Sequence, residues 1–311
     1  MKTYFLFLGT ALVLTLMSCN RNDNINHFNK EKSEVKFTSG IIPKSSATRA
    51  TDNTWDKNDE IGVYMLEKEL TTVVDEMGNV QYITELGGST GTFKASGKVI
   101  YFPDNGEEVR FMAYYPYKSD VISNGNIYKV DVTNQSSQAK IDLLYSFKTD
   151  AVFEKTTSEK VVPLAFNHML TKLIVNIKAG EGLESDDLAG IKIHFEGLNS
   201  TADFNLFDGS LSNHAGSVDI VPLTGVAQGE YTANFESILI PTDGIPDARI
   251  VFDLDNGDED LDSDVFAWSF DKELLKSTKH KYNVTINRTG IEVKATINDW
   301  LNGGEDDIIA E

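Results

Sequence analysis

The residues able to do chemistry in this 311-residue chain are few and far apart. Its single cysteine, Cys19, offers a thiol that can be alkylated to a thioether, and without a second cysteine no intramolecular disulfide can form. The histidines (His27, His168, His194, His214 and His280) show no HxxxH or HExxH spacing that would turn two imidazoles toward one metal ion. Gly87-Gly88-Ser89-Thr90-Gly91 matches the letters of Gly-x-Ser-x-Gly, but it lies between short strand-like runs and not at the strand-to-helix turn that exposes an activated serine. The acidic run Asp253 to Asp264 could supply carboxylate oxygens to calcium, but its glycine, Gly257, falls one place early for an EF-hand and no glutamate closes it. Asn256-Gly257 between two apolar stretches is also what a hairpin connection looks like, so a solvated acidic loop is the favoured reading and no cofactor is expected. Arg49 lies in the small, polar run Pro43 to Asp52, where a protease could draw the backbone into an extended form; a plain linker explains the run equally well. Catalysis has no candidate cluster here. What these residues leave open is modification of the chain itself, at the Cys19 thiol or by cleavage within the run around Arg49.

The surroundings of Cys19 sharpen that reading. Met1-Lys2 is followed by an apolar run from Tyr4 to Met17, too short for the roughly 20 residues a membrane-crossing helix needs and of the right length for a signal-peptide core. Leu16-Met17-Ser18-Cys19 then resembles the lipobox of bacterial lipoproteins, in which the cysteine sulfur takes a diacylglycerol and the chain is cut just before it. Residues 1–18 are therefore expected to be removed and the remainder to be tethered to a membrane through acyl chains on Cys19. The formal charge of −20 repels phosphate backbones and gains nothing from anionic lipid, which argues against nucleic-acid binding and polybasic membrane attachment.

Beyond the tether, residues 20–34 form a polar spacer and Val35 to Thr38 alternates like a strand. From Trp55 onward short apolar runs recur between turn signals such as Gly87-Gly88-Ser89 and Asp104-Asn105-Gly106, with no convincing helical stripe. The pattern lapses over Lys148 to Lys160 and then resumes. The expected architecture is all-β, two tandem β-sandwiches, divided as 1–18 leader, 19–50 spacer with a first strand, 51–158 N-terminal sandwich and 159–311 C-terminal sandwich. Tyr114-Tyr115-Pro116-Tyr117 could stack on sugar rings, although packing in the core or at its rim accounts for it better.

A wider resemblance rests on Thr48-Arg49-Ala50-Thr51-Asp52 leading into Trp55 to Tyr64, on Asp142-Leu143-Leu144-Tyr145, and on Pro163 to Leu173. Ile238-Leu239-Ile240-Pro241, His280 to Asn287 and Ile297-Asn298-Asp299-Trp300 extend it. In that order the motifs resemble the fimbrillin family of Gram-negative anaerobes. The resemblance implies two transthyretin-like sandwiches, outer-membrane anchorage through Cys19, and assembly with other fimbrillin-like subunits into an adhesive surface pilus. It further implies that an arginine-specific protease cuts after Arg49, so that the strand over Val35 to Ile42 leaves and another chain's strand takes its place. That cut removes seven basic and three acidic residues and moves the charge from −20 to −24. Ile291, Val293, Ala295 and Ile297 alternate with polar residues and are the candidate donor strand, or else the last core strand of the C-terminal half. The rival expectation is a monomeric surface lipoprotein that keeps its anchor and binds glycans for nutrient capture. Surface ligands on host or bacterium are further partners expected of the pilus reading.

Overall fold

A computed structural model describes residues 32–41, 54–69, 72–147, 149, 153, 161–243, 247–254, 265–269 and 273–299, the last eight by their backbone alone. All of them belong to one compact unit, Lys32–Glu311. The all-β expectation holds: among the described residues there are 18 strands, and the helical pieces are single 3-10 turns.

Seven strands close on themselves: β1 (Lys36–Ile41), β2 (Glu60–Glu67), β3 (Val80–Leu86), β4 (Thr90–Ala95), β5 (Val109–Tyr115), β7 (Leu144–Ser146) and β8 (Val161–His168), in the order β1-β4-β3-β2-β5-β7-β8. Closure comes from β1, which pairs antiparallel with β4 on one side and parallel with β8 on the other. The barrel encloses a core of Val35, Phe37, Ile61, Phe111 and Phe166 among others, with Phe37 edge-on to both Tyr82 and Phe111.

β2 and β5 read as continuous apolar runs because both of their faces are covered. Ile61, Val63 and Met65 point into the barrel, while Tyr64 and Leu66 join a second core outside it; on β5, Phe111 and Ala113 face one way and Met112 and Tyr114 the other. The second core is closed by a five-stranded sheet made of β13 (Leu223–Thr224), β14 (Ala233–Leu239), β9 (Thr171–Ala179), β17 (Thr278–Asn287) and β18 (Gly290–Asp299). Two three-stranded sheets complete it. One is β10 (Lys192–Glu196), β15 (Arg249–Asp253) and β16 (Val265–Ser269); the other is β6 (Ile127–Asp131), β11 (Thr201–Asn205) and β12 (Ser210–Ala215).

Strand pairing crosses the expected boundary at residues 158 and 159 in both directions. β8 completes the barrel because Val162, Leu164 and Phe166 are inward in its core, and β6 leaves the first half to pair with β11. The stretch around Val99 to Phe102 makes only an isolated bridge, Glu34 to Tyr101, and β12 gave no apolar signal because its residues are mostly exposed. The tyrosine run is no sugar platform. Tyr114 is fully buried with its hydroxyl donating to Asn79 Oδ1 at 2.6 Å, and Tyr115 is buried with its hydroxyl donating to Asp59 Oδ1 at 3.2 Å.

Candidate assembly site

The first strand is held by its alternation. Val35, Phe37, Ser39 and Ile41 point into the barrel and are buried, whereas Lys36, Thr38 and Gly40 lie on the outer side. Each large apolar side chain contributes roughly 1.5–3 kcal/mol on leaving water. On one edge Phe37 stands opposite Phe93 and Gly40 opposite Thr90; on the other, Lys36 to Ile41 run in step with Val161 to Phe166. Upstream the seam continues, Val35 N donating to Ile100 O at 3.0 Å and Phe102 N to Ser33 O at 2.9 Å. The third inward position, Ser39, is the small one, and its Oγ is buried without a partner.

No tight turn ties β1 to either neighbour. The chain leaves at Ile41 and is next described at Thr54, where Trp55 and Gly88 exchange backbone hydrogen bonds of 2.9 and 2.8 Å. Trp55 is then wedged edge-on among Phe93, Tyr115 and Phe166. Beside it, where β1 ends, lies a cavity of about 130 Å³ bordered by Ile41, Trp55, Asp59, Gln138, Asp142 and Lys172. Trp55 Nε1 and Gln138 Nε2 are buried there without a protein acceptor. Burial pushes the Asp59 carboxyl above its ordinary pKa, partly offset by hydrogen bonds from Asp56 N and the Tyr115 hydroxyl.

Cys19, Arg49 and Ala50 lie outside the described residues, as do residues 255–264 of the acidic run. The candidate donor strand lies at the edge of the five-stranded sheet, where β18 pairs antiparallel with β17 from Thr278–Asp299 to Asn287–Gly290. Ile291 packs at the margin of the second core; the side chains of Val293, Ala295 and Ile297 are outside the described set.

Among the scattered histidines, His168 and His280 find structural partners, and His27 lies outside the described residues. His168 is buried with Nδ1 2.9 Å from Asp142 Oδ2, and His280 is buried with Nε2 2.9 Å from Thr278 Oγ1. Sequence spacing missed one trio: the bridge between Phe195 and Ile220 brings Asp219 beside His194 and Glu196. Arg249 and His194 bond to the Glu196 carboxylate and hold its pKa below the ordinary value, which makes the group an ion-pair cluster already supplied with a cation.

The fimbrillin-like family profile matches residues 48–300, from the segment after the first strand to the end of the last. The chain belongs to the fimbrillin-like family. A Bacteroides uniformis relative provisionally named fimbrium subunit Fim1C is 31% identical over 318 residues, covering 98% of both chains. The crystal structure of a protein provisionally described as a cell adhesion protein, also from Bacteroides uniformis, superposes with a TM-score of 0.71 at 28% identity, covering 88% of this chain and 99% of that one. The tip fimbrial protein Mfa3 of Porphyromonas gingivalis shares the fold at 11% identity, with a TM-score of 0.54 over 87% of this chain and 100% of its own. This fimbrillin-like chain thus shares its family with fimbrial proteins, and the residues matched by the profile begin beyond β1.

Proposed function

We propose that this fimbrillin-like chain is a subunit of an adhesive cell-surface pilus, exported on lipid at Cys19 and made competent to assemble when the segment through Arg49 is cut away. Its role is mechanical rather than catalytic. The observation that carries the reading is the double pairing of β1: a strand tied to its neighbours by no turn closes the barrel by itself. Its loss would leave the facing edges of β4 and β8 unpaired beside an apolar groove, an invitation to another chain's backbone. The sequence of β18 supports a donor from a sibling. Ile291, Val293, Ala295 and Ile297 repeat the inward series Val35, Phe37, Ser39 and Ile41 as large, large, small, large. In that match Ala295 takes the place of Ser39 and removes its unpartnered hydroxyl. The donor role requires β18 to leave β17, or a free copy of the segment to be offered by a subunit already opened.

The test uses purified full-length precursor and an arginine-specific protease. The expected products are a new N-terminus at Ala50, movement from the detergent phase to the aqueous phase, and SDS-resistant ladders that grow with time. A cut chain that stays monomeric, or that keeps residues 20–49 bound through gel filtration, overturns the reading.

A further inference from the structure

The geometry points to a carbohydrate-binding cleft on the outer face of the five-stranded sheet, remote from the barrel groove and suited to a neutral oligosaccharide. Leu173, Val175 and Ile177 of β9 face the second core, so the alternate positions Lys172, Ile174, Asn176 and Lys178 face outward. Across that face three asparagines stand in register on adjacent strands: Asn234 on β14, Asn176 on β9 and Asn283 on β17. They form a directed chain, with Asn234 Nδ2 donating to Asn176 Oδ1 at 2.7 Å and Asn176 Nδ2 donating to Asn283 Oδ1 at 2.8 Å.

An outward row on a solvated sheet would ordinarily be exposed, but here it is sheltered. The connection from Gly225 to Tyr231 folds over the edge, and Asn176 and Asn234 retain only 7% and 8% exposure. Gly225 is required for that closeness, because a Cβ there would stand 2.0 Å from Asn234 Oδ1. The result is a cleft of about 430 Å³ floored by Ile174, Asn176 and Asn234 and walled by Tyr231, Glu236 and Lys281. That volume is within the ~300–1,000 Å³ typical of ligand sites.

The lining selects the ligand class. A carboxamide offers two N–H groups and two lone pairs, and the row consumes one of each at Asn176, leaving a donor and an acceptor side by side. A sugar hydroxyl gives and takes a hydrogen bond at once, so vicinal hydroxyls complement such a pair. Glu236, anchored by Lys172 at 2.9 Å, adds a charged acceptor. Tyr231, Ile174 and the 81%-exposed Val226 give the apolar C–H face of a pyranose a surface to lie on. The −20 charge of the chain disfavours polyanionic glycans at long range.

The inference is independent of strand exchange, so it is tested on the uncut precursor. The probe is an array of neutral oligosaccharides ending in galactose, N-acetylglucosamine, mannose or fucose, with sialylated and sulfated members alongside, followed by titration of the best binder. The expected result is binding to at least one neutral oligosaccharide, weakened about tenfold or more in Asn234→Ala and in Tyr231→Ala, the fold-change expected from roughly 1.4 kcal/mol. The loop variant Gln228→Ala, whose side chain is exposed, should also weaken binding while leaving the thermal midpoint unchanged, and Lys98→Ala in the barrel should change nothing. No neutral binder, binding confined to the anionic members, or binding that survives both Tyr231→Ala and Gln228→Ala overturns the site.

Discussion

His280 shows how one buried side chain makes stability depend on pH. Thr278 Oγ1 donates to Leu275 O and so accepts from His280 Nε2–H, which leaves Nδ1 as a buried acceptor without a partner. A proton on Nδ1 would find nothing to bond, and burial lowers the pKa from 6.5 to about 4. The unfolded chain therefore takes up a proton that the folded chain refuses, and stability falls as pH drops from about 6.5 toward 4, by an amount on the order of 3 kcal/mol. Urea midpoints measured across that range should drop more steeply in the native chain than in His280→Gln. Trp55 belongs to the same scale: Trp55→Ala removes three edge-to-face contacts and should cost about 3–5 kcal/mol, read as a lower urea midpoint at unchanged slope. That Trp55 is special could be read from its place in the motif, but not that its Nε1 lacks an acceptor, since that depends on Gln138 and Asp142 arriving from more than 80 positions away.

Strands were legible where one face is wet and the other dry. β1 and β17 alternate cleanly, and β5 coincides with its apolar run from Val109 to Tyr115. What could not be read was which core β2 and β5 serve, because a strand apolar on both faces carries no preference between them. The polar β12 was invisible for the opposite reason, being held by pairing with β11 rather than by burial. At this scale β1 makes the sharpest prediction. In the uncut chain Phe37→Ala should lower stability by about 3–5 kcal/mol, whereas after cutting the same substitution should have no effect on the released subunit. A synthetic peptide of residues 290–299 added to the cut chain should restore hydrogen-exchange protection to β4 and β8. The peptide with Ala295→Phe should fail, because in the proposed match it puts a bulky ring where the buried, small Ser39 stands.

For the molecule as a whole, the two cores share their walls. Tyr64, Met112 and Tyr114 reach from barrel strands into the second core, and Tyr145 of β7 packs edge-on to Phe204 of β11 at 5.0 Å. A fragment ending at residue 158 lacks β8 and leaves β1 and β7 without their shared neighbour, while one starting at residue 159 lacks β6. Neither fragment should show native near-UV circular dichroism alone, and the intact chain should unfold in one transition by fluorescence and circular dichroism alike. The lapse of pattern over Lys148 to Lys160 marked a real change in sequence character, but composition cannot report that the next strand turns back to complete the sheet before it.

The remoteness of β1 from its parallel neighbour also sets an order in time. β1 ends at Ile41, yet the strand that seals its second edge, β8, begins only at Val161. For much of its emergence the chain is an unsealed sheet whose first strand waits on a partner still to arrive, and long-range closures of that kind are slow. If subunits assemble as proposed, copies folding close together would present open seams before any cut, and crowding would favour premature joining of siblings. Under that proposal, the time β8 takes to reach β1, as well as any cleavage, would set how many copies stay unjoined.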